Sequence, residues 1–89
     1  MRGHLARHKL AVLYLESGRL AEAEAEWRRV TAEEPAYAVA WQGLAELFLR
    51  QGRWDELEQT TQRLQTLDPA TAARLRARAT DAKAPGRGD

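Results

Sequence analysis

The sequence predicts an all-α protein in which antiparallel helical hairpins stack into a short right-handed α-solenoid. Two observations support this fold class. The chain repeats itself after 34 residues, and residues 4–37 and 38–71 are identical at 12 of their 34 aligned positions. Within each repeat, apolar residues recur every three or four positions, which is the spacing of one helix face. Because a repeat of this kind buries its apolar face against its neighbour, we expect two stacked repeats and a capping helix, five helices in all.

The length and composition allow one small domain with a modest core. The 89 residues include no cysteine, which excludes disulfide bonds and thiolate metal sites. No stretch has the length and apolarity of a membrane span or a secretory signal, so we expect a cytoplasmic protein that binds no membrane. The net charge of +1 conceals an asymmetry. Residues 1–71 carry 9 basic against 11 acidic side chains, and residues 72–89 carry 5 against 2.

The first repeat, residues 4–37, is predicted to contain two helices at about residues 4–17 and 20–33. Gly18 ends the first helix because glycine readily adopts the left-handed backbone conformation. Pro35 ends the second helix, since the residue before a proline disfavours helical dihedral angles. The first helix carries two faces at helical spacing, one of Leu10, Leu13, Tyr14 and Ser17 and another of Leu5, Val12 and Leu15.

The second repeat, residues 38–71, is predicted to contain helices at about residues 37–51 and 54–67, with Gly52 between them. Asp68 and Pro69 then form a break and can also start the next helix, as an N-cap followed by a proline in the first helical position. The residues expected to face inward from the second helix onward are Leu20, Ala23, Trp27, Val30, Trp41, Leu44, Ala45, Phe48, Trp54, Leu57, Thr61 and Leu64.

A fifth helix is predicted at about residues 70–82, and its part beyond the second repeat, residues 72–82, is expected to cap the stack. The helical domain therefore spans residues 1–82. Residues 83–89 contain no apolar side chain larger than alanine, so we expect a disordered tail.

The residues at fixed offsets in both repeats resemble the tetratricopeptide repeat family, over roughly residues 4–82. The first repeat supplies Leu10, Ala11, Tyr14, Ala23, Trp27 and Pro35, and the second supplies Trp41, Leu44, Ala45, Phe48 and Pro69. The first repeat departs from the family pattern at Arg7, and the second at Leu57 and Thr61. The resemblance implies a non-catalytic scaffold for protein–protein interaction.

The family resemblance also implies a ligand groove lined by the first helix of each pair. The corresponding residues here are Leu5, His8, Val12, Leu15, Glu16, Val39, Gln42, Glu46, Leu49 and Arg50. A mostly apolar groove with a polar edge suits a peptide or an amphipathic helix. An alternative is that these residues pack against further repeats or a neighbouring domain, and the sequence leaves both open.

Two other interpretations concern the whole chain. The run from Leu10 to Val30 and the run from Ala40 to Leu57 are also similar to repeat tails found C-terminal to some bacterial glycosyltransferases, which would make the chain a structural appendage of an enzyme. In addition, the two apolar faces of the first helix allow contact with an upstream domain or self-association.

Catalytic, metal and nucleic-acid functions find little support. His4 and His8 lie one helical turn apart, but two ligands are too few for a specific metal site, and we expect no cofactor. No serine–histidine pair or glycine-rich phosphate loop is present, so we expect no enzyme activity. The basic C-terminal end lacks interleaved aromatic residues for base stacking, which argues against a nucleic-acid partner. Its basic residues are Arg74, Arg76, Arg78, Lys83 and Arg87.

Overall fold

A computed structural model describes residues 3–83 as five α-helices, with no strand in that part of the chain. The helices are α1 (His4–Glu16), α2 (Leu20–Glu33), α3 (Ala38–Gln51), α4 (Trp54–Leu67) and α5 (Pro69–Lys83). The all-α class with its repeated hairpins, predicted from the 34-residue period, is confirmed.

Neighbouring helices form a single stack. Helix α1 pairs with α2, α3 pairs with α4, and α5 packs on α4. Contacts between α2 and α3 join the two hairpins, while α1, α3 and α5 also touch in sequence along one side of the stack. The described chain measures 52 × 29 × 17 Å. The first helices of the hairpins therefore share one elongated surface.

The two hairpin turns have the same geometry because each contains a glycine with positive φ. Gly18 has a φ of 79° and Gly52 a φ of 68°. Just beyond each glycine a backbone N–H closes the helix end: Arg19 donates to the Tyr14 carbonyl at 2.8 Å, and Arg53 donates to the Phe48 carbonyl at 2.9 Å. The predicted role of both glycines as helix stops is confirmed.

The junction between α4 and α5 differs from that between α2 and α3. Residues 34–37 separate α2 from α3, whereas Asp68 alone separates α4 from α5. The Asp68 carboxylate accepts hydrogen bonds from the Thr71 hydroxyl at 2.8 Å and the Thr71 backbone N–H at 3.2 Å. These bonds cap the helix, and they hold the pKa of Asp68 below its usual range.

This cap starts α5 at Pro69, which is three residues before the position 72 given by adding the period to the start of α3. The capping helix consequently extends beyond the predicted residues 72–82 at both ends and includes Lys83. Residues 84–89, which make up the remainder of the predicted tail, lie outside the described residues.

The core lies between α2, α3 and α4, with smaller contributions from α1 and α5. The largest fully buried side chains are Trp27, Phe48, Leu47, Leu64, Leu75, Val30 and Thr61. Ala11 and Ala23 are both fully buried, which allows α1 and α2 to approach closely. On α3, a Cβ atom added to Gly43 would overlap the Trp27 indole ring. The glycine therefore lets α2 pack its tryptophan directly against the α3 backbone.

The burial of α1 corrects the expectation for its faces. Leu10, Leu13 and Ser17 are exposed, and the buried side of the helix is formed by Ala11 and Leu15. The spacing of Leu10 and Leu13 is helical as predicted, but the described chain has no helix that covers this face. The inward residues predicted for α2, α3 and α4 are buried or half-buried.

Candidate functional site

The groove residues predicted from the sequence lie on α1 and α3, two helices that touch along one side of the stack. A cavity of about 220 Å³ opens between these helices. It is lined by six of the predicted residues, His8, Val12, Leu15, Val39, Gln42 and Glu46, together with Trp27 and Gly43. The first helices therefore bring apolar and polar side chains together around one concavity, which we call the groove.

The other four predicted residues lie outside this cavity. Leu5 is exposed on the first turn of α1, while Glu16 and Arg50 are exposed near the C-terminal ends of their helices. Leu49 is half-buried and lines a neighbouring recess with Arg78 on α5. The structure thus gathers six of the ten residues in the groove and distributes four around it.

A hydrogen bond that the sequence analysis missed fixes the floor of the groove. The Trp27 indole N–H donates to Nδ1 of His8 at 3.0 Å. Because Nδ1 accepts this bond, the neutral imidazole carries its proton on Nε2. Burial lowers the pKa of His8 from its ordinary value, which favours this neutral form. The site therefore presents an uncharged N–H donor beside apolar walls.

Helix α5 extends the groove beyond α3. Glu46 accepts two hydrogen bonds from the Arg78 guanidinium, at 2.7 and 3.1 Å, and this pairing raises the pKa of Arg78. A recess of about 280 Å³ beside the pair is also lined by Gln42, Thr71, Arg74 and Ala77. The polar rim is therefore an ion pair between two helices rather than isolated charges.

Sequence reasoning missed the α5 contribution because the early start of that helix breaks the period. Adding 34 residues to Val39, Gln42 and Glu46 gives Ala73, Arg76 and Thr80. The recess instead contains Arg74, Ala77 and Arg78. The Asp68–Pro69 pair was the available signal, since a capped helix starting there rotates the later positions relative to the period.

A second, larger cavity of about 490 Å³ lies between α2, α3 and α4, away from the predicted groove residues. Its aromatic side chains are engaged within the chain: the Arg63 guanidinium lies 5.1 Å from the Trp41 ring centroid, and Arg28 lies 5.7 Å from that of Phe48. The Trp41 indole N–H also donates to the Pro35 carbonyl at 2.7 Å. We attribute this surface to stacking of the repeats, because its cations and rings already contact one another.

A charged cluster holds the two hairpins in register. Arg53, in the turn before α4, donates to Glu24 on α2 at 2.8 Å and to Glu56 at 3.0 Å, and Arg28 donates to Glu24 at 2.7 Å. The Arg53 guanidinium also lies 4.7 Å from the Phe48 ring centroid. Hydrogen bonds from Arg53 lower the pKa of both carboxyl groups and raise that of Arg53. The cluster fixes the relative position of α1 and α3, and hence the width of the groove.

Within residues 3–83, no three side chains group in a way that could hold a metal ion. His4 instead lies 3.9 Å from both Glu33 and Glu34. None of the helices described combines the length and apolarity needed to cross a membrane.

Comparison with protein families identifies the class of the chain. A model of the tetratricopeptide repeat matches residues 14–79, about three quarters of the sequence. The chain therefore belongs to the tetratricopeptide repeat family, as its repeated residues predicted. None of the curated proteins compared with the chain matches it. Repeats of this family generally mediate protein–protein interactions and are typically non-catalytic.

Proposed function

We propose that this protein is a non-catalytic scaffold that binds a peptide or a partner helix in the groove lined by α1 and α3. The observation that carries the proposal is the 220 Å³ cavity, where apolar Val12, Leu15 and Val39 lie beside polar His8, Gln42 and Glu46. Ligand sites commonly combine an apolar lining with a few placed polar groups. The exposed Leu5 and Val39 add apolar surface at the mouth of the groove.

The chemistry of the groove favours an amphipathic ligand. The apolar wall offers anchoring contacts for one or two side chains, and the imidazole Nε2–H can donate to a carbonyl oxygen. The Gln42 amide at the rim can donate and accept hydrogen bonds. The Glu46–Arg78 pair holds two opposite charges close together, so it does not strongly favour ligands of either charge. An apolar helix face or a short extended segment with polar flanks fits this arrangement.

Peptide selection on the immobilised chain, followed by fluorescence polarisation with a selected peptide, tests this proposal. Val12→Glu and Val39→Glu place a charge in the groove and should each weaken binding by at least about tenfold, as expected for central interface residues. Gln62→Glu on the exposed surface of α4 is the matched control and should bind like the parent chain. Circular dichroism verifies that each variant is folded. Unchanged affinity in both groove variants, or no peptide selected at all, refutes the groove as a binding site.

A second candidate function is that of a structural C-terminal tail of a larger enzyme such as a glycosyltransferase. The exposed apolar face of α1 favours it, because an adjoining domain could cover Leu10 and Leu13. The coding sequence immediately upstream distinguishes the two functions. An in-frame catalytic domain there supports the tail, and a separate upstream gene refutes it.

A further inference from the structure

The outer face of α1, formed by Ala6, Leu10, Leu13 and Ser17, is an exposed stripe that the groove does not use. Leu10 is 38% and Leu13 is 60% exposed. We propose that this face pairs with the same face of a second copy of the chain, with the two α1 helices antiparallel about a two-fold axis. The proposal is independent of peptide binding in the groove.

The internal repeat indicates that this face is of the kind that a helix covers. Leu10 and Leu13 correspond, 34 residues later, to Leu44 and Leu47, which are 2% and 0% exposed. Helix α3, which carries those leucines, packs against both α2 and α4. Helix α1 has contacts with α2 and α3 but with no helix on its outer side within residues 3–83. The stripe therefore has the composition of a packed face without the packing.

The spacing of the stripe suits pairing with itself. Its four residues lie four, three and four positions apart, which is the periodicity of a seam between two helices. In an antiparallel pair centred between Leu10 and Leu13, each leucine lies against the other leucine of the second copy. The small Ala6 and Ser17 then meet at both ends of the seam, so the helices can approach closely along its length.

The charges beside the stripe are complementary only in the antiparallel arrangement. Lys9 and Glu16 are exposed and flank the stripe on the same side, seven residues or about 10 Å apart along the helix. Neither takes part in the ion pairs formed within residues 3–83. A two-fold axis brings Lys9 of each copy to Glu16 of the other, giving two ion pairs. Parallel helices would instead place Lys9 against Lys9, which is unfavourable.

The opposite end of the stack provides no competing partner for α1. The large apolar residues exposed within residues 3–83 are Leu5, Leu10, Leu13 and Val39, and none lies on α5. Head-to-tail stacking would thus set the leucine stripe against alanine, arginine and other small or polar side chains. A closed two-fold dimer is favoured over an open filament.

The size of the seam sets the expected affinity. Helix α1 has 13 residues and is about 20 Å long. One helix pair of that length buries less than the roughly 1,200 Å² of a standard interface, so we expect a dissociation constant of about 10–500 µM. The chain should be monomeric when dilute and dimeric when concentrated.

Sedimentation equilibrium of the full 89-residue chain, from about 5 µM to about 1 mM, tests the dimer. Leu13→Glu should weaken self-association by at least about tenfold, whereas Val39→Glu, which alters an exposed apolar residue on α3, should leave it unchanged. Lys9→Glu should weaken association, and the double variant Lys9→Glu with Glu16→Lys should restore it. Circular dichroism again verifies folding.

Three results overturn the proposal. A parent chain that stays monomeric to 1 mM shows that the face belongs to another partner. An undiminished dimer in Leu13→Glu places the interface elsewhere, and a double charge reversal without rescue excludes the antiparallel pairing. Failure of the peptide groove is distinguishable, because Val39→Glu should affect peptide binding alone and Leu13→Glu should affect dimerisation alone.

Discussion

Helices α1 and α3 occupy the same place in the two repeats, yet they are buried very differently. Six residues of α3 are buried, at positions 40, 43, 44, 45, 47 and 48, against only Ala11 and Leu15 in α1. Helix α3 is enclosed by helices on several sides, whereas α1 lies at the end of the stack. Position within the repeat therefore sets which residues can be buried, and the neighbouring helices decide which of them are. Residues 34 apart can be substituted in pairs to test this difference.

The largest effect is expected at Trp27, whose equivalent in the second repeat is Thr61. Both side chains are almost fully buried, but the indole fills the space above Gly43 and bonds to His8. Trp27→Ala should lower the free energy of unfolding by about 3–5 kcal/mol. Thr61→Ala, which loses a hydroxyl bonded to the Glu58 carbonyl, should lower it by about 1 kcal/mol. Urea denaturation measures both, and similar losses would contradict the central role of Trp27.

The next effect separates Leu47 from its equivalent Leu13. Leu47→Ala removes a fully buried side chain and should lower the free energy of unfolding by about 2–5 kcal/mol. Leu13→Ala should change it by less than about 0.5 kcal/mol in the dilute chain, because Leu13 is mostly exposed. Thermal melts of both variants at low micromolar concentration give the comparison. Equal destabilisation would mean that α1 is covered even in the monomer.

A smaller effect distinguishes Gly43 from Lys9, which takes its place in α1. Gly43→Ala puts a methyl group into the Trp27 ring, and the required shift should cost about 1–3 kcal/mol. Lys9→Ala on the exposed face of α1 should change stability by less than about 0.5 kcal/mol. The two urea midpoints report the outcome. A neutral or stabilising Gly43→Ala would show that the indole can move away without loss.

The smallest effect concerns His8, whose equivalent is Gln42. Burial lowers the pKa of His8 below its ordinary value of 6.5, so the folded state favours the neutral imidazole more than the unfolded state does. Its contribution to stability is complete above about pH 6.5 and is lost as the pH falls through the lowered pKa. His8→Gln should therefore show a smaller loss of stability than the parent chain between about pH 7 and about pH 5. Identical pH profiles would contradict the burial of a neutral His8.

The fold was largely predictable from the sequence because it depends on local signals that repeat. Gly18 and Gly52 give both helix stops through their own backbone freedom, and the spacing of Ala23, Trp27 and Val30 gives the buried side of α2. These features require only the chain within one hairpin.

Features that depend on contacts between distant residues could not be predicted in the same way. The Trp27–His8 bond joins residues 19 apart, and the Arg53–Glu24 bond joins residues 29 apart. Neither spacing has a helical period that would mark it in the sequence. The exposure of Leu13 also depended on a missing neighbour, and the groove residues on α5 depended on the cap that Asp68 forms.

The hydrogen bond between Trp27 and His8 also gives the groove an intrinsic spectroscopic reporter. The indole N–H points at the imidazole that lines the groove, while the ring itself is buried in the core. A ligand that engages His8 changes the electron density at Nδ1 and hence the strength of this bond. The indole proton resonance of Trp27 should therefore move on ligand binding, while those of Trp41 and Trp54, which do not line the groove cavity, stay in place. Occupancy of the groove can be followed in solution without attaching a label.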